Sequence, residues 1–244
     1  VMSSSNSYLY KLFKKNFFFK KLFIFYNTYI RNFKSLFNSS QFQEDDYIMS
    51  YFKKNYKGNF VDLGCFHPTR HNNTFKLYKK GWRGINVDLN RLTIDLFDSI
   101  RPGDINICTA LSNKKGTAKL YYLGDFSVHN TIYKNNLNLL QGHFSIKKKD
   151  IKVKKTKTER LDNILKKYNF FNIDFMSIDI EGEELKVIQS LNFKKFNIKY
   201  ICIEIFDHNK KSIENNLKVI KHLKKNGYIL KNKTPINYIF KKNN

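Results

Sequence analysis

A chain of 244 residues with 41% hydrophobic content has room for one α/β domain with a sizeable core but not for two full ones, and it is too apolar to stay disordered. The formal net charge is +25, yet only six of the 45 basic residues are arginine. Arginine is the side chain preferred for bidentate phosphate and guanine contacts, so the excess reads first as lysine-rich background composition and only second as a nucleic-acid surface. 

The first 40 residues read as a basic, amphipathic helical segment, followed by the main domain over 41–244. Leu9, Leu12, Phe13 and Phe17, then Leu22, Phe23, Tyr26, Tyr29, Ile30, Phe33 and Phe37, recur at steps of three to five among lysines, with no Gly, Pro or acidic residue between Tyr8 and Phe37. Two roles stay open: packing on the main domain, or resting through residues 8–37 on an anionic membrane surface. The segment holds no apolar run long enough to span a bilayer, because Lys20-Lys21 cut it, and no small-residue cleavage site follows. The expected location is cytoplasmic, with peripheral attachment at the inner membrane face as the second alternative.

Glu44-Asp45-Asp46 opens a short helix through Lys53, with its acids in the first turn where the helix dipole favours them. After Gly58 strands and helices alternate. A strand over 59–63 is followed by a helix over 73–80 stopped by Gly81, a strand over 84–89, and a helix over 92–100 stopped by Pro102. Strands follow over 105–111 and 117–123, then an irregular polar insert over 124–150 that carries His129 and His143. A helix over 159–168 has Thr158 as its N-cap. Then come a strand over 173–180, a helix over 183–191, a strand over 200–206, a helix over 212–226, and two strands, 228–231 and 236–241, around Pro235. This alternation predicts a mostly parallel sheet with an antiparallel C-terminal edge hairpin. Cys65, Cys108 and Cys202 lie far apart without a CxxC pair and are expected to be buried free thiols.

Three strand ends carry the chemistry. Val61-Asp62-Leu63-Gly64 closes the first strand, where Gly64 lets the backbone turn tightly beside a ligand and Asp62 stands ready for an amine or a sugar. Asp88, 26 residues later, closes the second strand. A nucleotide-binding α/β sheet places there the carboxylate that accepts both ribose hydroxyls. Ile178-Asp179-Ile180-Glu181-Gly182-Glu183-Glu184 closes a later strand. Its carboxylates can orient an amine, bind a hydroxyl, act as a base or hold a divalent cation, while Glu183 and Glu184 also suit a helix cap.

These pieces, together with Gly81-Trp82-Arg83-Gly84-Ile85, Arg101-Pro102, Ala110-Leu111-Ser112, Arg160-Leu161-Asp162 and Ile203-Glu204, resemble the FkbM family of S-adenosylmethionine (SAM)-dependent methyltransferases over about residues 40–206. The resemblance implies an α/β, Rossmann-like class I methyltransferase fold with a mostly parallel seven-stranded sheet, preceded by the basic helices. It implies SAM as cofactor, held by Asp62, Gly64, Cys65, Asp88, Leu111, Ser112 and Asp179. Cys65 departs from the Ala that many relatives carry. The implied reaction is O-methylation of a hydroxyl on a sugar, polysaccharide or glycolipid. An alcohol must lose its proton, and Glu181, Glu204 and His208 are the candidate bases, with His67 next; no dedicated metal ligand is assigned, and a divalent cation stays open. The insert, with His129 and His143, is assigned to acceptor recognition by position. An RNA methyltransferase and a non-catalytic basic protein on the same scaffold, binding a membrane surface or nucleic acid, are the competing readings. A NAD-dependent oxidoreductase fits Asp88 but not the glycine-poor first loop.

Overall fold

Short β-branched and aromatic runs become the strands of this protein, and the amphipathic runs between them become the helices that cover the sheet. The computed structural model describes residues 16–125, 127, 129–134, 146–207 and 210–243. An N-terminal segment comprises helix α1 (Phe17–Phe25), a π-helical turn (Tyr26–Arg31) and a 3₁₀ turn (Phe33–Leu36). There follow α2 (Glu44–Ser50), β1 (Asn59–Leu63), α3 (Phe75–Lys79), β2 (Arg83–Asp88), α4 (Arg91–Ile100), β3 (Ile105–Cys108), β4 (Ala110–Leu111) and β5 (Gly116–Tyr122). The chain continues through β6 (Lys152–Glu159), α5 (Leu161–Lys167), β7 (Asn172–Ile178), α6 (Glu184–Ser190), β8 (Asn197–Glu204), α7 (Lys210–Lys225), β9 (Tyr228–Lys233) and β10 (Asn237–Lys242).

Seven strands form one sheet in the order β3-β2-β1-β7-β8-β10-β9. The strands from β3 to β8 are parallel, and β10 runs antiparallel to both β8 and β9. The expected parallel sheet and its edge hairpin are therefore present. Strand order reverses between β1 and β7, where Leu63 lies beside Ile178. The connections that leave these two strands diverge to opposite faces of the sheet, with Leu77 of α3 on one and Val187 and Ile188 of α6 on the other, which is where doubly wound sheets open a ligand crevice.

Period-two alternation assigns the side chains of β1 and β7 to two cores. Val61, Leu63, Met176 and Ile178 enter the larger core, with Val187, Ile188, Ile201 and Ile203. Phe60 and Phe175 enter the opposite one, with Trp82, Leu77, Ile48 and Tyr200. Each such fully buried side chain contributes roughly 1.5–3 kcal/mol relative to exposure. Gly84 shows why the Gly-Trp-Arg-Gly-Ile piece is so restrictive: a Cβ there would stand 2.3 Å from the carbonyl oxygen of Phe60 on β1.

Three local expectations need correction. The strand expected over 105–111 divides after Cys108. Thr109 N donates to the Asp88 carbonyl at 2.9 Å, and the chain leaves the main sheet to form a second one, β4-β6-β5. Strand β6 falls where no strand is expected, because most of its side chains are exposed and half are lysine, without an apolar alternation. Thr158 is consequently a strand residue whose hydroxyl donates to Lys114 O at 3.1 Å, and α5 begins at Leu161 with Arg160 as its cap residue. Finally, Cys108 is exposed, whereas Cys65 and Cys202 are buried free thiols as expected.

The N-terminal segment is helical and anchored. Phe23 and Ile24 pack on Leu92 and Leu96 of α4, Lys20 pairs with Asp95 at 3.0 Å, and Ser35 and Thr69 share a hydroxyl–hydroxyl bond of 3.1 Å. Among the described residues, no helix is long and apolar enough to cross a membrane.

Candidate active site

A cleft of about 840 Å³ opens at the β1/β7 divergence, within the range of small-molecule and cofactor sites. Gly64, Asp88, Leu111, Asp179, Glu181 and Glu204 line it, six of the residues singled out in the sequence. Gly64 sits at φ +77° and donates its N–H to Val87 O at 2.8 Å. A Cβ on it would fall 1.6 Å from the carbonyl oxygen of Asp179. Glycine at this point is what allows the β1 and β7 ends to meet at the floor of the cleft.

Asp88 is buried at the end of β2. Its Oδ2 accepts from Phe66 N at 3.1 Å and its Oδ1 from Asn90 N at 2.7 Å. Burial raises its pKa to about 6 in spite of these two amides. Each carboxylate oxygen keeps acceptor capacity toward the cleft. The carboxylate thus fixes the turn after β1, where Phe66 takes φ +51°, and presents an acceptor to a diol.

Asp62, Cys65 and Ser112 lie outside the cleft lining. Asp62 has the alternation parity of Phe60, so its carboxylate points to the face of the sheet that also carries Phe60 and α3. There it accepts from Thr74 Oγ1 at 2.7 Å and from Asn72 Nδ2 at 3.1 Å. Arg101, fully buried, completes this network: Nη1 donates to Thr74 Oγ1 at 2.8 Å, Nη2 to Asn72 Oδ1 at 2.6 Å, and Nε to Pro68 O at 3.0 Å. Its guanidinium also lies over the Phe97 ring, 4.8 Å from the centroid. Asp62 and Arg101 together hold the loop between β1 and α3 that shapes one wall of the site. His67 belongs to the same loop. It is buried, its Nδ1 accepts from Thr69 N and Arg70 N at 3.2 and 3.1 Å, and burial lowers its pKa to about 3. It is a neutral scaffold group at physiological pH. Ser112 donates to Glu183 Oε2 at 2.9 Å and so ties the end of β4 to the start of α6.

The turn after β7 carries the acids. Asp179, Glu184 and Glu204 bring carboxylate oxygens within 4.8 Å of one another. Glu181 takes φ +56° ahead of Gly182 at φ +104°, a left-handed conformation that costs a non-glycine residue about 1–2 kcal/mol. Glu184 secures the turn by accepting from Ile180 N at 2.9 Å and Gly182 N at 3.1 Å, and Thr131 Oγ1 donates to Glu181 O at 2.8 Å. Asp179 is exposed to the cleft, with its carboxyl crowded by the neighbouring strand ends and acids. Loss of bulk water, and then the Glu184 charge, push its carboxyl up to about 7. Burial, then the charges of neighbouring acids, also hold Glu181 and Glu204 well above the usual carboxylate range.

The insert forms the roof. Ser127, His129, Asn130, Ile132 and Tyr133 line the cleft. Asn130 docks the roof by donating to Asn90 Oδ1 and Gly124 O, both at 2.7 Å. Opposite stand Asn215 and Asn216 of α7, and Asn215 Nδ2 donates to Tyr133 OH at 3.1 Å. Sequence reasoning missed Asn90, Tyr133 and the two α7 asparagines, since polar residues in loops and on a lysine-rich helix carry no periodic signal. His208 and His143 lie outside the described residues.

The methyltransferase FkbM domain matches residues 55–230. No curated protein matches the sequence. Among solved structures, the chain is similar to a TehB-like SAM-dependent methyltransferase from Corynebacterium glutamicum, with 11% identity, 89% of this chain and 97% of that chain covered, and a TM-score of 0.44. It is also similar to the 16S rRNA methylase ArmA, with 14% identity, 82% of each chain covered and a TM-score of 0.39. Both likenesses are too distant to bear on the acceptor.

Proposed function

Because the chain belongs to the FkbM family of methyltransferases, we propose that it methylates a hydroxyl of a sugar, polysaccharide or glycolipid with SAM as donor. The observation that carries this reading is the pairing of two walls in one cleft. Four clustered carboxyls, Asp179, Glu181, Glu184 and Glu204, face a roof and helix lined with the uncharged hydrogen-bonding groups of Ser127, Asn130, Tyr133, Asn215 and Asn216. Amides and hydroxyls that both donate and accept suit a hydroxyl-rich acceptor.

The donor set fits SAM. Asp88 offers carboxylate oxygens to ribose hydroxyls, Val87, Leu89 and Leu111 offer an apolar wall, and Asp179 offers a carboxylate to the amine. When bound, SAM supplies a methyl group on a positively charged sulfur. The remaining work belongs to the protein: to align the acceptor and remove its proton. Crowded together, the four carboxyls favour their protonated forms, and a positive charge beside them favours ionisation. Glu181 or Glu204 then takes the hydroxyl proton on a carboxylate oxygen. The same oxygens of Asp179, Glu184 and Glu204 suit a divalent cation.

The test is transfer of labelled methyl from SAM to a panel of glycans and to RNA. Glu181→Gln or Glu204→Gln should abolish transfer to the glycan while leaving SAM-induced thermal stabilisation in place. Full activity of both variants in EDTA would place the base elsewhere. Labelling of RNA alone would favour the second reading, an RNA acceptor, for which the exposed lysines 152, 154, 155 and 157 of β6 are the supporting observation.

A further inference from the structure

More than half of the exposed large hydrophobic side chains among the described residues fall between Phe18 and Phe37. Phe18 is 65% exposed, Ile30 59% and Phe37 72%. Leu22, Phe25 and Phe33 join them. Their exposure is built in, because the other side of the segment is fixed. Phe23 and Ile24 are sealed against α4, and the Lys20–Asp95 pair and the Ser35–Thr69 bond prevent rotation of the outer face inward. A contiguous apolar face of this kind on a folded domain marks an interaction surface.

Its charge identifies the occupant. The chain has no acidic residue before Glu44, and Lys21, Arg31 and Lys34 are exposed in the same segment as the aromatic face. Behind Ile30 a recess of about 570 Å³ is lined by Arg31, Lys34, Ser40 and Arg70. Among the described residues, neither Arg31 nor Arg70 forms an ion pair with a carboxylate. Aromatic side chains that enter an acyl boundary, ringed by cations and a basic recess at headgroup depth, match an anionic bilayer surface. No described helix is long and apolar enough to span a bilayer, so contact with one would be along its surface.

We propose that the outer face of residues 18–37 docks the protein onto the surface of an anionic phospholipid bilayer. The recess shares Gln41, Arg70 and His71 with the lining of the active-site cleft, so the docked face adjoins the cleft mouth.

The full chain is tested by sedimentation with vesicles of phosphatidylcholine alone and of phosphatidylcholine with phosphatidylglycerol. Binding should need phosphatidylglycerol and fall as salt rises. Phe25→Ser with Phe33→Ser should weaken the partition by about tenfold or more. Arg31→Gln with Lys34→Gln should weaken it by roughly fivefold per charge. Both pairs are exposed, so wild-type melting temperatures confirm the fold, and the charge variant serves if the aromatic one misfolds. Equal binding to both vesicle types, or no binding, overturns the proposal. So does a concentration-dependent dimer lost in the same variants, which would make a second copy the occupant, or binding seen only after residues 1–15 are removed, which would make those residues the cover.

Discussion

Replacing Arg101 with Met keeps an unbranched apolar stem and removes the guanidinium with every donor. The change would strand the carbonyl of Pro68 and take one donor from the side-chain oxygen of Asn72, which Thr74 N and Oγ1 still reach. It would also leave Asp62, buried and with a raised pKa, without the positive charge that offsets its burial. Removing one partner from a buried charged network costs about 3–5 kcal/mol. For a chain of this length each kcal/mol lowers the melting temperature by roughly 2–4 °C. A fall of between roughly 6 and 20 °C is therefore expected in calorimetry. The deficit should grow with pH. Asp62 has a folded-state pKa above its unfolded one, and losing the Arg101 charge raises it further, so the stability linked to its proton is lost as pH rises through that higher value. Arg101→Lys, which keeps the charge and loses the planar fork, should fall between wild type and Arg101→Met. A variant melting within about 2 °C of wild type at both ends of the pH range would refute the claim that Arg101 and Asp62 hold the first loop.

Asp88→Ala should weaken SAM or S-adenosylhomocysteine binding by about tenfold or more, since it removes the ribose acceptor and releases the amides of Phe66 and Asn90; an unchanged Kd in titration calorimetry would remove Asp88 from the site. Gly64→Ala must move the Asp179 backbone out of a 1.6 Å overlap and should cost about 3 kcal/mol or more in urea unfolding, with SAM binding lost. Affinity for the cationic donor should rise with pH through about 7, because Asp179 is raised to about that value and a bound positive charge favours its ionised form. A flat pH profile would mean that Asp179 does not face the donor.

The sheet was legible because its signals are local and repeated. Apolar runs ending in Asp-x-Gly and Val-Asp, punctuated by Gly81 and Pro102, leave few ways to arrange β1, β2 and the helices between them. Gly64, Asp88 and Asp179 were legible for the same reason: each stands at the end of a strand, Gly64 and Asp179 at the two strands of the order reversal and Asp88 on the neighbouring β2. Asp62 shows the limit of that logic. It precedes the strand end by one residue, so pleat parity sends its carboxylate toward Thr74 and Asn72 instead of the cleft. Its partner Arg101 lies 39 residues away in sequence, and no local pattern announces a buried guanidinium. Strand β6 escaped detection because pairing with β5 is a backbone matter, and both faces of Lys152–Lys157 are open to water. Glu184 was legible as a cap, but its place beside Asp179 and Glu204 depends on β8, which only the three-dimensional order brings alongside β7.

The excursion between β4 and β6 leaves and rejoins the domain at one place. Ala110 and Gly116 both lie opposite Thr158, and Ser112 N donates to Glu159 O at 3.1 Å. A segment whose ends already meet changes its closure entropy only slowly with length, so it can be lengthened, trimmed or swapped while the seven-stranded sheet stays intact. Since this segment supplies the roof, and the strand ends supply Gly64, Asp88 and Asp179, the two halves of the site are separable modules. On the proposed division of the cleft, grafting a different roof between Ser112 and Glu159 is expected to change the acceptor while SAM affinity in titration calorimetry stays at the wild-type value.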